Sequence, residues 1–421
     1  MKTFRPAITA CTLTAILVSG GCSTPRSASR DHAYILYWPP RDSGRTRLAV
    51  KDLIDMKGVV TTAGSEFLAK TSPPAARDAA CLRLARNRNV QFVGKTNLSE
   101  LAAGVTGIND YFGTPENPVN PKHKLIPGGS SSGSAVAVVD GTADIAIGTD
   151  TAGSIRVPAA CCGIVGLKTT FGLVPLDGVY PISANHLDTV GPMARDVAHT
   201  VQGMDLLQEG FAGRYRRATA TKPSARMIKV GRLYVSGTSA KVDRAVDDAL
   251  ARTGFKVVAL DEAFQEEWKQ AEKDAKTVSA ASVWLSDQKF KNEPGVATRT
   301  KLIVALGAYE YSTNYRPALE RKAAWQATLR RVFERVDFIA LPTLQSLPPT
   351  IPFFGGNVAF EALVLGAQNT AAVNFAGNPA LAVPIPVEDK IVPVTSLQLI
   401  GPRLSEAALL NAGRLVEAHR H

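Results

Sequence analysis

Three short segments rich in glycine, serine and threonine hold the chemistry-bearing residues of this chain. In the first, Lys95 directly follows the short apolar run Val90–Gly94, within Gly94-Lys95-Thr96-Asn97. The second is Gly128-Gly129-Ser130-Ser131-Ser132-Gly133-Ser134, which leads into apolar Ala135–Val139. In the third, Gly148-Thr149-Asp150-Thr151-Ala152-Gly153-Ser154-Ile155-Arg156, Ser154 lies 24 positions after Ser130. A serine hydroxyl is a poor nucleophile until a neighbouring base activates it. A flexible linker would be Gly/Ser-rich over a longer stretch and would lack flanking apolar strands. A phosphate loop needs a lysine after its last glycine, whereas Ser134 follows Gly133. Gly129–Gly133 also fits the Gly-x-Ser-x-Gly elbow of α/β-hydrolases, which would make Ser131 the nucleophile. No apolar strand leads into Gly129, however, and of the six histidines only His186, His199, His419 and His421 follow Ser131. Ser286-Asp287-Gln288-Lys289 matches a Ser-x-x-Lys pattern, but no Lys-Thr-Gly accompanies it, and it reads as the solvated face of a charged helix. There is no His-Glu-x-x-His and no Cys-x-x-Cys, so the motifs imply neither a metal nor a cofactor.

The elements that must position these residues alternate between strand and helix. Arg47–Val50, Val90–Gly94, Phe338–Leu341 and Ala380–Pro384 are short apolar runs expected as strands. Ala75–Arg88 has helical spacing of Ala and Leu. Ile228–Val235, Lys241–Arg252 and Phe255–Leu260 read as a βαβ unit whose helix is closed by Gly254. Phe264–Lys291 and Ala318–Glu334 read as further helices, and the basic stretch Gly213–Arg226 as a surface excursion. The expected class is α/β: one domain with a central mixed, twisted β-sheet covered by helices on both faces. No internal repeat and no long linker appear.

The sequence resembles the amidase signature family from about Arg47 to Glu417. The resemblance rests on Val50-Lys51-Asp52, Gly94–Asn97, Gly128–Ser134, Gly148–Arg156, Gly163–Lys168, Asp188–Arg195, Asn374–Ala380 and Leu397–Pro402, all in the family's order. It implies a Ser–cis-Ser–Lys triad. Ser154 matches the nucleophile, Ser130 the bridging serine behind a cis Gly129–Ser130 bond, and Lys95 is taken as the general base. A lysine serves as a base only when burial lowers its pKa enough to leave it neutral. The backbone N–H groups of Thr151, Ala152, Gly153 and Ser154 would form the oxyanion hole. Ser131, Asp150 and Arg156 match supporting positions. Ala152 and Ser132 stand where many relatives have glycine; alanine serves if its φ is negative.

The remaining sequence narrows the function. The 421 residues are 45% hydrophobic and 20% charged, with 34 Gly and 26 Pro, which excludes a disordered or collagenous chain. Five cysteines exclude a disulfide scaffold, and Cys81, Cys161 and Cys162 read as buried small hydrophobes. The net charge of +11 is scattered, with Arg214–Arg217 the longest cluster, and no nucleic-acid-binding motif accompanies it. Lys2 and Arg5, the apolar run Ala7–Val18 and Ser19-Gly20-Gly21-Cys22 have the layout of a signal peptide ending in a lipobox-like cysteine. The expected organisation is therefore a signal peptide over 1–21, a tether over 22–46 and an amidase domain over 47–421. The chain is expected to be exported, either anchored at a bacterial membrane through a lipidated Cys22 or simply secreted to the periplasm. The expected function is hydrolysis of a small-molecule carboxylic amide to acid plus ammonia or amine through an acyl-enzyme on Ser154. Two alternatives stand beside it: an inactive envelope lipoprotein using the fold for binding, and an amidotransferase A-type subunit. The divergent segment Gly210–Gly356 would build the acyl pocket, with Tyr309, Tyr311 and Trp325 either lining it or packed in the core.

Overall fold

The computed structural model describes residues 32–419 apart from 43 and 354. Cys22, the signal-peptide segment and the first part of the expected tether lie outside the described residues. Eleven strands form one mixed sheet: β1 (Tyr34–Tyr37), β2 (Thr46–Lys51), β3 (Val90–Thr96), β4 (Ile145–Asp150), β5 (Val165–Lys168), β6 (Thr189–Ala194), β7 (Lys229–Arg232), β8 (Lys256–Ala259), β9 (Phe338–Pro342), β10 (Ala380–Pro386) and β11 (Val394–Ile400). Their spatial order is β1-β3-β2-β4-β6-β5-β10-β11-β9-β7-β8. β2 runs parallel to both β3 and β4, and β7 parallel to both β8 and β9; the other pairs are antiparallel.

Side chains alternate between the faces of a strand, and here both faces are dry. Leu48, Val50, Ile145, Ile147, Leu381 and Val383 join a core under the helices Val197–Leu207 and Glu406–Glu417. The intervening Ala49, Ala146 and Ala382 face the opposite way, against the helices Ser132–Val139 and Arg156–Cys162. Small residues on that face let the two helices approach the sheet closely. A Cβ on Gly133 would lie 2.2 Å from the carbonyl oxygen of Ala33, so only glycine fits there. The single α/β domain and the two helical layers agree with the sequence expectation.

Several local expectations change. β1 pairs antiparallel with β3, so part of the expected tether is a sheet edge. The expected helix Ala75–Arg88 shrinks to a 3₁₀ turn, Ala80–Leu82, and one α-turn, Arg83–Arg86. Its upstream N–H groups are taken elsewhere: Ala75 donates to Val59, Ala79 to Asp55 and Ala80 to Asp177. The basic stretch after Gly213 is helical, within Phe211–Thr221, anchored by buried Phe211. An unanticipated helix, Thr298–Thr313, packs along the long helix Glu262–Asp287. Leu302, Leu306 and Tyr309 on its exposed side blur the one-face periodicity that would reveal it.

The sheet centre should dominate stability. Leu399, fully buried in β11 between β10 and β9, is expected to cost about 2–5 kcal/mol when changed to alanine. Leu302→Ala, at a position 51% exposed, should stay within about 0.5 kcal/mol. Urea unfolding of the two variants measures both.

Candidate active site

The serine and lysine segments meet at the carboxyl ends of the parallel strands β2 and β4, where α/β sheets commonly bind ligands. Ser154 occupies the turn between β4 and the helix Arg156–Cys162. Ser130 and Ser131 precede the helix Ser132–Val139, and the Gly129–Ser130 bond is cis. The two turns are stitched together, because Ser131 N–H donates to Ser154 O at 3.2 Å. Ser99 N–H donates to Ser130 O at 3.2 Å and holds the other side. Ser154 is 8% exposed and lines a cavity of about 180 Å³ with mostly apolar walls, among them Ala103, Val105, Ile182 and Ile303.

The lysine beside Ser130 is Lys51. Its Nζ donates to Ser130 Oγ and to Thr149 Oγ1, both at 2.8 Å, and the side chain is fully buried. Burial pushes the Lys51 ammonium down to about 7, against the opposing pull of Asp150 and Asp188. Lys95 is placed differently. Its Nζ pairs with Asp52 Oδ1 at 2.9 Å and donates to Ile54 O at 2.5 Å and Thr61 Oγ1 at 3.2 Å. The sheet register explains the correction. Lys51 aligns with Thr96 and Lys95 with Val50, after a bulge that shifts β3 by one residue between Leu48 and Ala49. Thr96 bonds Ser134 Oγ at 2.7 Å, on the face that carries Ser130. Lys95 therefore shares the face of Val50, away from the serines. The signal that points to Lys51 is Val50-Lys51-Asp52 itself, a lysine directly after the apolar run Leu48-Ala49-Val50.

Asp150 and Arg156 shape the Ser154 turn. Arg156 forks onto Asp150 through Nε at 3.0 Å and Nη2 at 2.9 Å, and both residues are fully buried. Asp150 also accepts from Gly153 N–H at 2.8 Å and Ile155 N–H at 3.1 Å. Burial alone would raise the Asp150 carboxyl, but the Arg156 guanidinium holds it well below the usual carboxylate range. The same geometry corrects the oxyanion set. Gly153 N–H is engaged by Asp150, whereas the N–H groups of Thr151, Ala152 and Ser154 have no acceptor among the described residues. Ala152 does not take a positive φ, so its methyl is tolerated; Gly153 does, at +133°. Ser131 Oγ donates to Thr149 O at 3.3 Å, on the residue whose hydroxyl accepts from Lys51.

Other contributors carry no role that the sequence assigns. Asp188 accepts from Thr151 Oγ1 at 2.7 Å and from the N–H groups of Ile182 and Ser183. Thr370 Oγ1 donates to Ala152 O at 2.6 Å, while Asn374 and Gln398 accept from the Arg156 guanidinium. Trp325 belongs to the core, donating Nε1–H to Ala372 O at 2.9 Å, whereas Tyr309 lines a second cavity beside the first. Cys81, Cys161 and Cys162 are free and buried.

The family model described as Amidase matches residues 47–410. The chain belongs to the amidase signature family. It is 34% identical to the A-type subunit of the glutamyl-tRNA(Gln) amidotransferase of Natronomonas pharaonis, over 89% of this chain and 96% of that protein. It is 33% identical to the 2-amino-5-chloromuconic acid deaminase of Comamonas testosteroni, over 88% of this chain and 80% of that protein. Among solved structures, an amidase is 26% identical with a TM-score of 0.71, covering 89% of this chain and 85% of that one.

The two buried lysines should respond differently to removal. Lys95→Met strands the Asp52 carboxylate in a dry site and is expected to cost about 3–5 kcal/mol. Lys51→Met strands no such directly paired carboxylate and should cost clearly less. Thermal and urea unfolding of both variants give the comparison.

Proposed function

We propose that the chain cleaves a carboxamide through an acyl-enzyme on Ser154. The observation that carries this reading is the 2.8 Å contact between a fully buried Lys51 and Ser130, beside Ser154 at the wall of a cavity. Neutral Lys51 accepts the Ser130 proton as Ser130 takes the proton of Ser154. Ser154 Oγ then attacks the amide carbon, and the free N–H groups of Thr151, Ala152 and Ser154 stabilise the oxyanion. The tetrahedral intermediate collapses, and the leaving nitrogen departs with a proton returned through Ser130. Water attacks the acyl-enzyme by the reverse relay, giving the acid and free Ser154.

A second reading shares the first half of this chemistry. The similarity to the A-type subunits of glutamyl-tRNA(Gln) amidotransferases favours it over a freestanding hydrolase. There the nitrogen released at the Ser154 site would pass to a second acceptor instead of being lost. The amino terminus separates the two readings. A mature chain beginning at a lipid-modified Cys22, shown by mass spectrometry of the membrane fraction, supports the exported hydrolase. An intact cytosolic chain that releases ammonia from glutamine supports the amidotransferase reading.

A panel of aliphatic, aromatic and amino-acid amides tests the chemistry. Ser154→Ala should abolish turnover, and Lys51→Met should lower it about 10²- to 10⁴-fold with the fold retained. Turnover that survives Ser154→Ala overturns the assignment. The base acts in its neutral form, so activity is present above the Lys51 pKa and lost below it. kcat/KM should therefore fall about tenfold per pH unit below about 7 and level off above it.

A further inference from the structure

Two charged residues line the Ser154 cavity, Lys276 and Glu361. Glu361 is fully occupied. Its Oε2 accepts from the N–H groups of Val105 at 2.8 Å and Thr106 at 3.1 Å. Its Oε1 accepts from Thr106 Oγ1 and lies 3.8 Å from Arg299 Nε, so its charge is compensated. Lys276 is not satisfied in this way. Its only ion-pair partner among the described residues is Glu272 Oε2 at 3.5 Å, beyond good hydrogen-bond length, and that oxygen has no hydrogen-bond partner. The other Glu272 oxygen is held by Ala372 N–H at 3.1 Å.

Lys276 also stands at a junction. It lines a second cavity of about 820 Å³, which shares Ala280, Leu306 and Leu365 with the first. Two more polar groups in that wall lack partners: Trp268 Nε1 and Gln368 Nε2, each on a side chain 1% exposed. A buried donor without a partner is costly, and a water or a ligand group can supply the one that the protein lacks. Trp268, Glu272 and Lys276 are spaced four residues apart on one helix, Glu262–Asp287, and so share one face. That face runs from the larger cavity to the one at Ser154. Among the described residues, Lys276 is the one charged side chain that lines both cavities.

We propose that the two cavities form one substrate site and that Lys276 determines its specificity, selecting amides that carry a carboxylate on the part of the molecule remote from the scissile bond. The proposal rests on the Ser154 reading and adds the substrate class. The apolar wall near Ser154 holds the short chain next to the reacting carbonyl, and the Lys276 ammonium meets the carboxylate where the two cavities join.

Three primary amides of one chain length test it: adipamate, hexanamide and 6-aminohexanamide, which are anionic, neutral and cationic at the far end. The wild-type kcat/KM should be about 10- to 100-fold higher for adipamate than for hexanamide, mainly through KM, and lowest for the cationic amide. Lys276→Gln should bring the adipamate-to-hexanamide ratio close to one, and Lys276→Glu should turn the preference towards 6-aminohexanamide. A wild-type ratio near one, or a preference that survives in Lys276→Gln, overturns the proposal. Labelling of Ser154 by a fluorophosphonate probe reports on the nucleophile independently. Labelling with cleavage of hexanamide but no charge preference removes the Lys276 proposal alone. No labelling and no cleavage of any of the three removes the Ser154 reading, and the Lys276 proposal with it.

Discussion

The buried fork between Arg156 and Asp150 is the contact on which the site is assembled. Five donors converge on the Asp150 carboxylate: Gly153 and Ile155 N–H, Nε and Nη2 of Arg156, and the Asn374 amide. Arg156 in turn reaches Thr370 O, Gln398 and Asn374, tying the turn of Ser154 to two segments more than 200 residues away. Buried ion pairs gain little unless every remaining donor and acceptor is satisfied, and this one satisfies nearly all of them. The outcome is a turn with no freedom to relax. Gly153 N–H is spent inside it, while the N–H groups of Thr151, Ala152 and Ser154 have no acceptor among the described residues.

The opposite logic governs Lys51. No carboxylate touches it, and its two hydrogen bonds go to hydroxyls. Desolvation therefore outweighs the opposing pull of Asp150 and Asp188, which act only through space. The neighbouring ends of β2 and β4 thus supply both extremes. Asp150 is kept charged by a guanidinium, while the neighbouring Lys51 is brought close to neutrality by the lack of a direct counter-ion. The difference comes from contact geometry, since both groups are equally buried.

Much of this was legible in the sequence, for identifiable reasons. The runs of β2, β3, β9 and β10 are short, apolar and bounded by turn residues, and the helix Ala240–Thr253 ends at Gly254 with φ +78° as its pattern requires. Ser130, Ser154, Asp150 and Arg156 are readable because the glycine-rich segments that hold them carry the family resemblance. The match that points to Lys95 does not reveal the bulge in β3, where one extra residue reverses which face each side chain takes and sets Lys95 away from the serines. The engagement of Gly153 N–H was hidden for a similar reason, as it depends on where the Asp150 carboxylate turns. The helix Thr298–Thr313 escaped because its apolar residues do not keep to one face. Gly307 marks it in hindsight: a Cβ there would come 2.3 Å from Ala280 O, a crossing visible only once both helices are placed.

The bulge in β3 has a consequence for how this sheet can vary. It sorts two chemically identical side chains into separate compartments, with Lys95 locked to a carboxylate and Lys51 hydrogen-bonded to two hydroxyls. A sheet one residue shorter at that point would keep its strand count and most of its hydrogen bonds. It would nevertheless bring a second ammonium to the serine face and leave Asp52 alone on the other. Insertions and deletions in an edge-proximal strand are usually judged by how much they loosen packing. Here the length of β3 decides which of the two lysines meets the serines, and it tolerates change far less than its position near the sheet edge suggests.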